Sequence, residues 1–148
     1  LTAAQTERFT FRPSEERHTL PTLAAGLGRY LYEPNAALLK AGAFRTIAHR
    51  FGIDKLHTNS HLYTGDTLQN DFPGRRFEVE AVVPFKSKLK PADLRHTDKA
   101  CIAARNFPLS VADLRKVLKI GDGGDTFIFA TTLRDNSKVL IFGHKTAQ

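Results

Sequence analysis

The stretch RFEVEAVVPF, residues 76 to 85, alternates polar and apolar side chains and predicts a strand. A period of two puts Phe77, Val79 and Ala81 on one face and Glu78, Glu80 and Val82 on the other. Two more runs, DTFIFATTL at 125 to 133 and KVLIFGH at 138 to 144, are joined by the turn residues R-D-N-S. They predict a closing hairpin. With these strands the chain builds a sheet, and the segments between them supply whatever covers it.

One such segment is GRYLYEPNAALLKAG, residues 28 to 42. Residues 29 to 33 precede Pro34 and are expected to be extended. Asn35 is placed to cap a helix running to about Phe51, with Gly52 as its stop. At about 100° per residue, Ala37, Phe44, Ile47, Ala48 and Phe51 share one face. Lys40 falls in the middle of that face. A break near Gly42, with Lys40 in a separate short turn, resolves this better than a buried lysine with a partner. Residues 53 to 75 read as a polar loop, with a short strand around His61 to Tyr63. Residues 86 to 99 read as a basic loop leading into a short helix near Pro91. Residues 100 to 104 predict a buried, small-residue strand.

In NFPLSVADLRKVLKIGDGGD, Ser110 and Asp113 form an S-x-x-D capping box for a helix from Val111 to about Leu118. Val111, Leu114, Val117 and Leu118 are expected inward and Gly121 at the end. The order strand, helix, irregular region, strand, short helix, strand, helix, hairpin predicts an α+β fold. It is expected to be a single compact domain with a mixed or antiparallel sheet and a few helices. TERFTFR, residues 6 to 12, reads as a short strand, and the Pro- and charge-rich residues 13 to 27 as a linker. Residues 1–27 are therefore expected to be the tail of a preceding domain, and 28–148 the organised domain. The chain has no methionine and begins at Leu1, so it is expected to be a piece of a longer polypeptide.

Several functions lack their residues. No run nears the roughly 20 apolar residues of a membrane span, and the N-terminal residues lack the pattern of a signal peptide. The single cysteine, Cys101, excludes an internal disulfide and points to a cytoplasmic protein. Inside ACIAA it is expected to be buried and inert. His57 and His61 have no third ligand with sensible spacing, so no metal is expected. G-D-G-G-D at 121 to 125 lacks the remaining ligands of a calcium loop. No P-loop, G-x-S-x-G elbow or G-x-G-x-x-G follows a strand.

Basic residues outnumber acidic ones by 22 to 15, a net charge of +7 that favours polyanionic partners, nucleic acid first. Lys86, Lys88 and Lys90 alternate, so an extended segment aims them one way. Arg105, Arg115 and Lys119 continue the cluster. Tyr30, Tyr32, Phe85 and Phe107 lie near basic residues, and bases of single-stranded RNA stack on such rings while cations hold phosphates. Glu33, Asn35 and Lys40 belong to a turn that binds RNA, contacts a preceding domain, or is a structural corner capping the helix.

The stretches RYLYEPNAALLKAGAFRTIAHRFGIDKLHTNSHLYTGD, DFPGRRFEVEAVVPF and RNFPLSVADLRKVLKIGDGGDTFIFATTL resemble the THUMP-like C-terminal region of a bacterial class I S-adenosylmethionine-dependent methyltransferase family. The resemblance covers about Gly28 to Lys145. It implies an RNA methyltransferase with a catalytic domain N-terminal to these residues. S-adenosylmethionine would be bound there, with no cofactor in this chain. Residues 28–148 would then bind and position RNA, either tRNA or rRNA, with the methyltransferase domain as the other partner. THUMP-type domains are associated with tRNA and other structured RNA, and the step from THUMP to THUMP-like is an analogy. Two rival classes stand beside it. One is a docking module that packs on the catalytic domain or an acidic protein, whose sign is a large exposed apolar patch. The other is an independent enzyme using the histidines.

Overall fold

The structure, a computed structural model, describes residues 23–41 and 44–146. The strand expected at 6 to 12, the linker up to residue 22, Gly42 and the side chain of Phe44 lie outside what is described. In chain order the elements are β1 (Tyr30–Pro34), α1 (Ala36–Ala41), α2 (Phe44–Phe51), β2 (Asp54–His57), β3 (Ser60–Gly65) and β4 (Gly74–Pro84). Then come β5 (Cys101–Arg105), α3 (Val111–Leu118), β6 (Phe127–Thr132) and β7 (Lys138–Lys145). The strands make one seven-stranded sheet in the order β2-β3-β1-β4-β7-β6-β5. Among the described strands only the β5–β6 pair is parallel, so the sheet is mixed and the fold is α+β.

Local chemistry explains the elements around the opening stretch. β1 runs between β3 and β4, with Leu31 opposite Thr64 on one side and Phe77 on the other. The Asn35 side-chain oxygen accepts from the Leu38 amide at 3.1 Å, which caps α1. α1 and α2 are separate helices, and Lys40 is exposed in the last turn of α1. α2 buries Ile47 and Ala48, and the expected break near Gly42 falls outside the described residues. Gly52, at φ 61°, ends α2, with its amide and that of Ile53 donating back to His49 and Ala48.

Several expectations are corrected. Residues 53 to 75 are more than a polar loop, because β2 and β3 pair as a hairpin turning at Thr58 and Asn59. Leu56 and Leu62 go inward, while Tyr63 is buried on the opposite face. No short helix forms near Pro91. Residues 91 to 96 are a turn, and Arg95 and His96 adopt positive φ, which stops any helix after one turn. β5 is an edge strand whose residues, Cys101 among them, are half-buried rather than buried. In α3 the buried stripe is Leu114 and Leu118, while Val117 is 44% exposed. Lys119, at φ 56°, ends that helix ahead of Gly121.

β4 also departs from simple alternation. Its register with β7 slips between Val79, opposite Gly143, and Ala81, opposite Phe142. Glu80 is the extra residue of a β-bulge. Phe77 and Val79 therefore pack on one core cluster, and Ala81 and Val83 on another.

The sheet curls until its two ends meet. Ser60 Oγ on β3 donates to the Thr132 carbonyl at 2.8 Å, and Asn106 Nδ2, just past β5, donates to Ser60 Oγ at 3.1 Å. Inside the curl lie Leu31, Leu56, Leu62, Phe77, Phe129 and Ile141. Outside β5–β7, α3 packs Leu114 and Leu118 on Ile128, Leu140 and Phe142, with Leu94 from the turn beside them. Outside β1 and β3, Tyr32 and Tyr63 pack with Ile47, Ile53 and Phe72.

Candidate nucleic-acid interface

The lysine loop leaves β4 where the Phe85 amide donates to the Lys138 carbonyl at 2.9 Å. Lys86, Lys88 and Lys90 are all exposed, and none has an ion-pair partner among the described residues. The segment bends at Ser87 and Lys88, so the three ammonium groups do not lie along one regular strand. At its root the Phe85 and Phe107 rings meet edge to face, with centroids 5.1 Å apart, and both are half-buried against the core. At its end the Lys90 amide donates to Asp93 Oδ2 at 2.9 Å, which starts the turn that buries Leu94. A cleft of about 320 Å³ runs from Leu89 and Pro91 of this loop to Val117 and Lys119 at the end of α3. Lys119 thus stands across a cleft from the lysine loop.

Arg115 works differently. Its guanidinium donates to the carbonyls of Ala100 and Ile120 and to Asp122 Oδ1, at 3.0 to 3.4 Å. It ties α3 to the entry of β5, and its side chain is 24% exposed. Tyr32 is corrected as well. It is fully buried, its hydroxyl donates to the Thr67 carbonyl and accepts from the Gln69 amide, both at 2.9 Å, and burial pushes its pKa up. Its ring packs against Phe72 and cannot reach a base. Tyr30 is half-buried, with the Arg29 guanidinium 5.4 Å from its ring.

A second cleft, of about 380 Å³, opens at the ends of β1, β4 and β5 and is lined by Glu33, Pro34, Asn35, Ala36, Gly74, Arg75 and Arg105. Glu33 lies opposite Arg75 in the β1–β4 register and is 8% exposed. Its Oε1 accepts from Arg75 Nε at 2.9 Å and from Arg75 Nη2, and its Oε2 accepts from Arg105 Nε at 2.8 Å. Arg105 Nη1 also donates to the Ala104 carbonyl at 3.0 Å. Gly74 has no room for a side chain, since a Cβ there would lie 2.1 Å from the Glu33 carbonyl oxygen. The sequence reading missed Arg75. Its signal was a charge opposite Glu33, which is readable only once β1 is paired with β4.

Where the sheet ends meet, polar groups form a seam. The Asn59 amide donates to His57 Nδ1 at 3.0 Å, so Nδ1 is an acceptor and Nε2 carries the proton that goes to Asn136 Oδ1 at 2.9 Å. Both ring nitrogens are therefore engaged. Burial holds His61 below the usual histidine range, and Lys55 adds to the effect. Among the described residues, no three His, Cys, Asp or Glu side chains gather as a metal site needs. The glycine run at 121 to 124 leads from α3 into β6, the reverse of the strand-to-helix loop that grips a nucleotide cofactor, so it does not fit S-adenosylmethionine. No described helix is long and apolar enough to cross a membrane.

Residues 74–145 match the THUMP domain-like family. Residues 30–73 match a ferredoxin-like domain family. The chain is also similar to a solved protein described as a "putative methyltransferase from Porphyromonas gingivalis W83", with 42% identity and a TM-score of 0.89. The similarity covers 94% of this chain and 35% of that one. Among curated proteins, none matches the chain.

Proposed function

We propose that this chain is the RNA-positioning module of an S-adenosylmethionine-dependent RNA methyltransferase, with chemistry and cofactor carried by a separate catalytic domain of the same polypeptide. The reading is supported by the THUMP-like match and by similarity to the protein described as a "putative methyltransferase", of which this chain spans 35%. The observation that carries it is the loop of Lys86, Lys88 and Lys90, exposed and without ion-pair partners among the described residues, facing Lys119 across a cleft. Three exposed ammonium groups on one short loop attract a phosphate backbone, and the chain's charge of +7 steers RNA toward it. Docking on a protein is less favoured, because the exposed large hydrophobics among the described residues are Val82 and Val117, too few for an apolar patch. Cytoplasmic RNA, tRNA or rRNA, is the partner this reading requires.

The test replaces all three loop lysines by alanine. Each phosphate contact on a single strand contributes about −0.7 to the salt slope, so the triple variant flattens that slope by roughly two units. Affinity falls evenly across RNA sequences. Thermal stability stays close to wild type, because exposed lysines contribute little. Unchanged affinity and slope would remove the loop from the interface and return the docking reading to the front.

A further inference from the structure

We infer that the cleft between β1, β4 and β5 is a binding site for one phosphate group, held between Arg75 and Arg105. Its natural ligand, a phosphate of the RNA strand, rests on the reading above; the phosphate chemistry does not. One arginine suffices to neutralise Glu33, whose buried carboxylate needs a partner. Two guanidiniums against one carboxylate leave one net positive charge at the mouth of a cleft. Both guanidiniums remain reachable, with side chains 42% and 41% exposed. Among the described residues, Arg75 Nη1 and Arg105 Nη2 have no hydrogen-bond acceptor.

The geometry also fixes both groups in advance. Glu33 gives one oxygen to each arginine, and its side chain is only 10% exposed, so little bare carboxylate faces an incoming anion. The Arg75 guanidinium lies 5.3 and 5.7 Å from the Phe77 and Phe127 ring centroids, which holds it from the other side. Gly74, which has no side chain, lines the cleft beside them with backbone. Planar guanidinium forks match the oxygens of a phosphate better than a lysine does, and pre-orientation removes much of the entropy cost of binding. The lysine loop supplies long-range attraction; this cleft supplies a fixed point that sets where along the strand the RNA sits.

Titration of the ¹⁵N-labelled chain with inorganic phosphate, against chloride at equal ionic strength, tests the site without RNA. The arginine Nε–Hε signals of Arg75 and Arg105 are expected to shift saturably, and that of Arg29 to stay put. Shifts that never saturate, or that appear equally at every arginine, overturn the proposal. Arg105→Gln should abolish the response, and Arg105→Lys, which keeps the charge on Glu33 but loses the fork, should weaken it. With RNA, Arg105→Gln should lower affinity several-fold and flatten the salt slope by about 0.7. If the wild type binds RNA but neither variant alters binding or the phosphate response, the three residues are only a strut between strands. If the wild type takes phosphate saturably but binds no RNA, the site stands with free phosphate as its ligand and the RNA reading fails.

Discussion

His144 sits between two carboxylates on the outer side of β7. Its Nδ1 is 2.7 Å from Glu80 Oε1 and its Nε2 is 3.3 Å from Glu78 Oε1. Arg29 and Arg95 face the same two glutamates at 3.2 and 4.0 Å. The hydrogen bond to Glu80 holds the imidazolium and raises its pKa above 6.5, with both carboxylate charges adding to it. His61 goes the other way, kept neutral by burial and Lys55. The signs follow by linkage. Stability from His144 is full below about pH 6.5, the unfolded value, and is lost as pH rises through its higher folded pKa. With His61 the unfolded chain takes the proton first, so stability falls on acidification below about 6.5. Urea unfolding across pH should therefore show a decline on both sides of that value. His144→Asn should flatten the alkaline side and leave the acid side alone; an unchanged alkaline slope would mean the carboxylates contribute nothing through this ring.

Elements with strong local signals were legible in the sequence. The run at 76 to 85 is β4, and the two C-terminal runs are the β6–β7 hairpin. Ser110 caps α3 by accepting from the Asp113 amide at 3.1 Å. Ser110→Ala should cost about 1 kcal/mol, read as a lower urea midpoint at unchanged slope; no shift would mean the surrounding sheet holds the helix turn unaided. Elements whose signal is long-range were not legible. The β2–β3 hairpin has no glycine in its turn, and its polar residues hide two buried leucines. The bulge at Glu80 leaves a pattern that looks like unbroken alternation. Tyr32 and Arg115 look like surface groups in sequence, but each is recruited by backbone oxygens far along the chain or across the helix end. The second cleft needed Glu33, Arg75 and Arg105 together; the β1–β4 pairing joins the first two and the curl of the sheet brings the third.

The whole molecule does not divide where its family matches do. They meet at residues 73 and 74, yet β1 from the first pairs with β4 from the second over Tyr30–Pro34, and the sheet continues through both. Cutting there would expose a long strand edge on each side. The chain should therefore unfold in a single transition, with fluorescence and circular dichroism coinciding in denaturant. Two separated transitions would show that the ferredoxin-like and THUMP-like parts are independent. The curl has a kinetic consequence. Its closing ion pair joins Glu33 to Arg105, 72 residues apart, and Ser60 reaches Thr132 over the same separation. No helix or hairpin brings these groups close beforehand, so the loop-closing entropy falls due before any of the contacts that offset it. A nascent chain emerging from the ribosome would hold β1, β2 and β3 long before β6 and β7 exist to cover them, and their shared interior face would stay open to other chains throughout that interval.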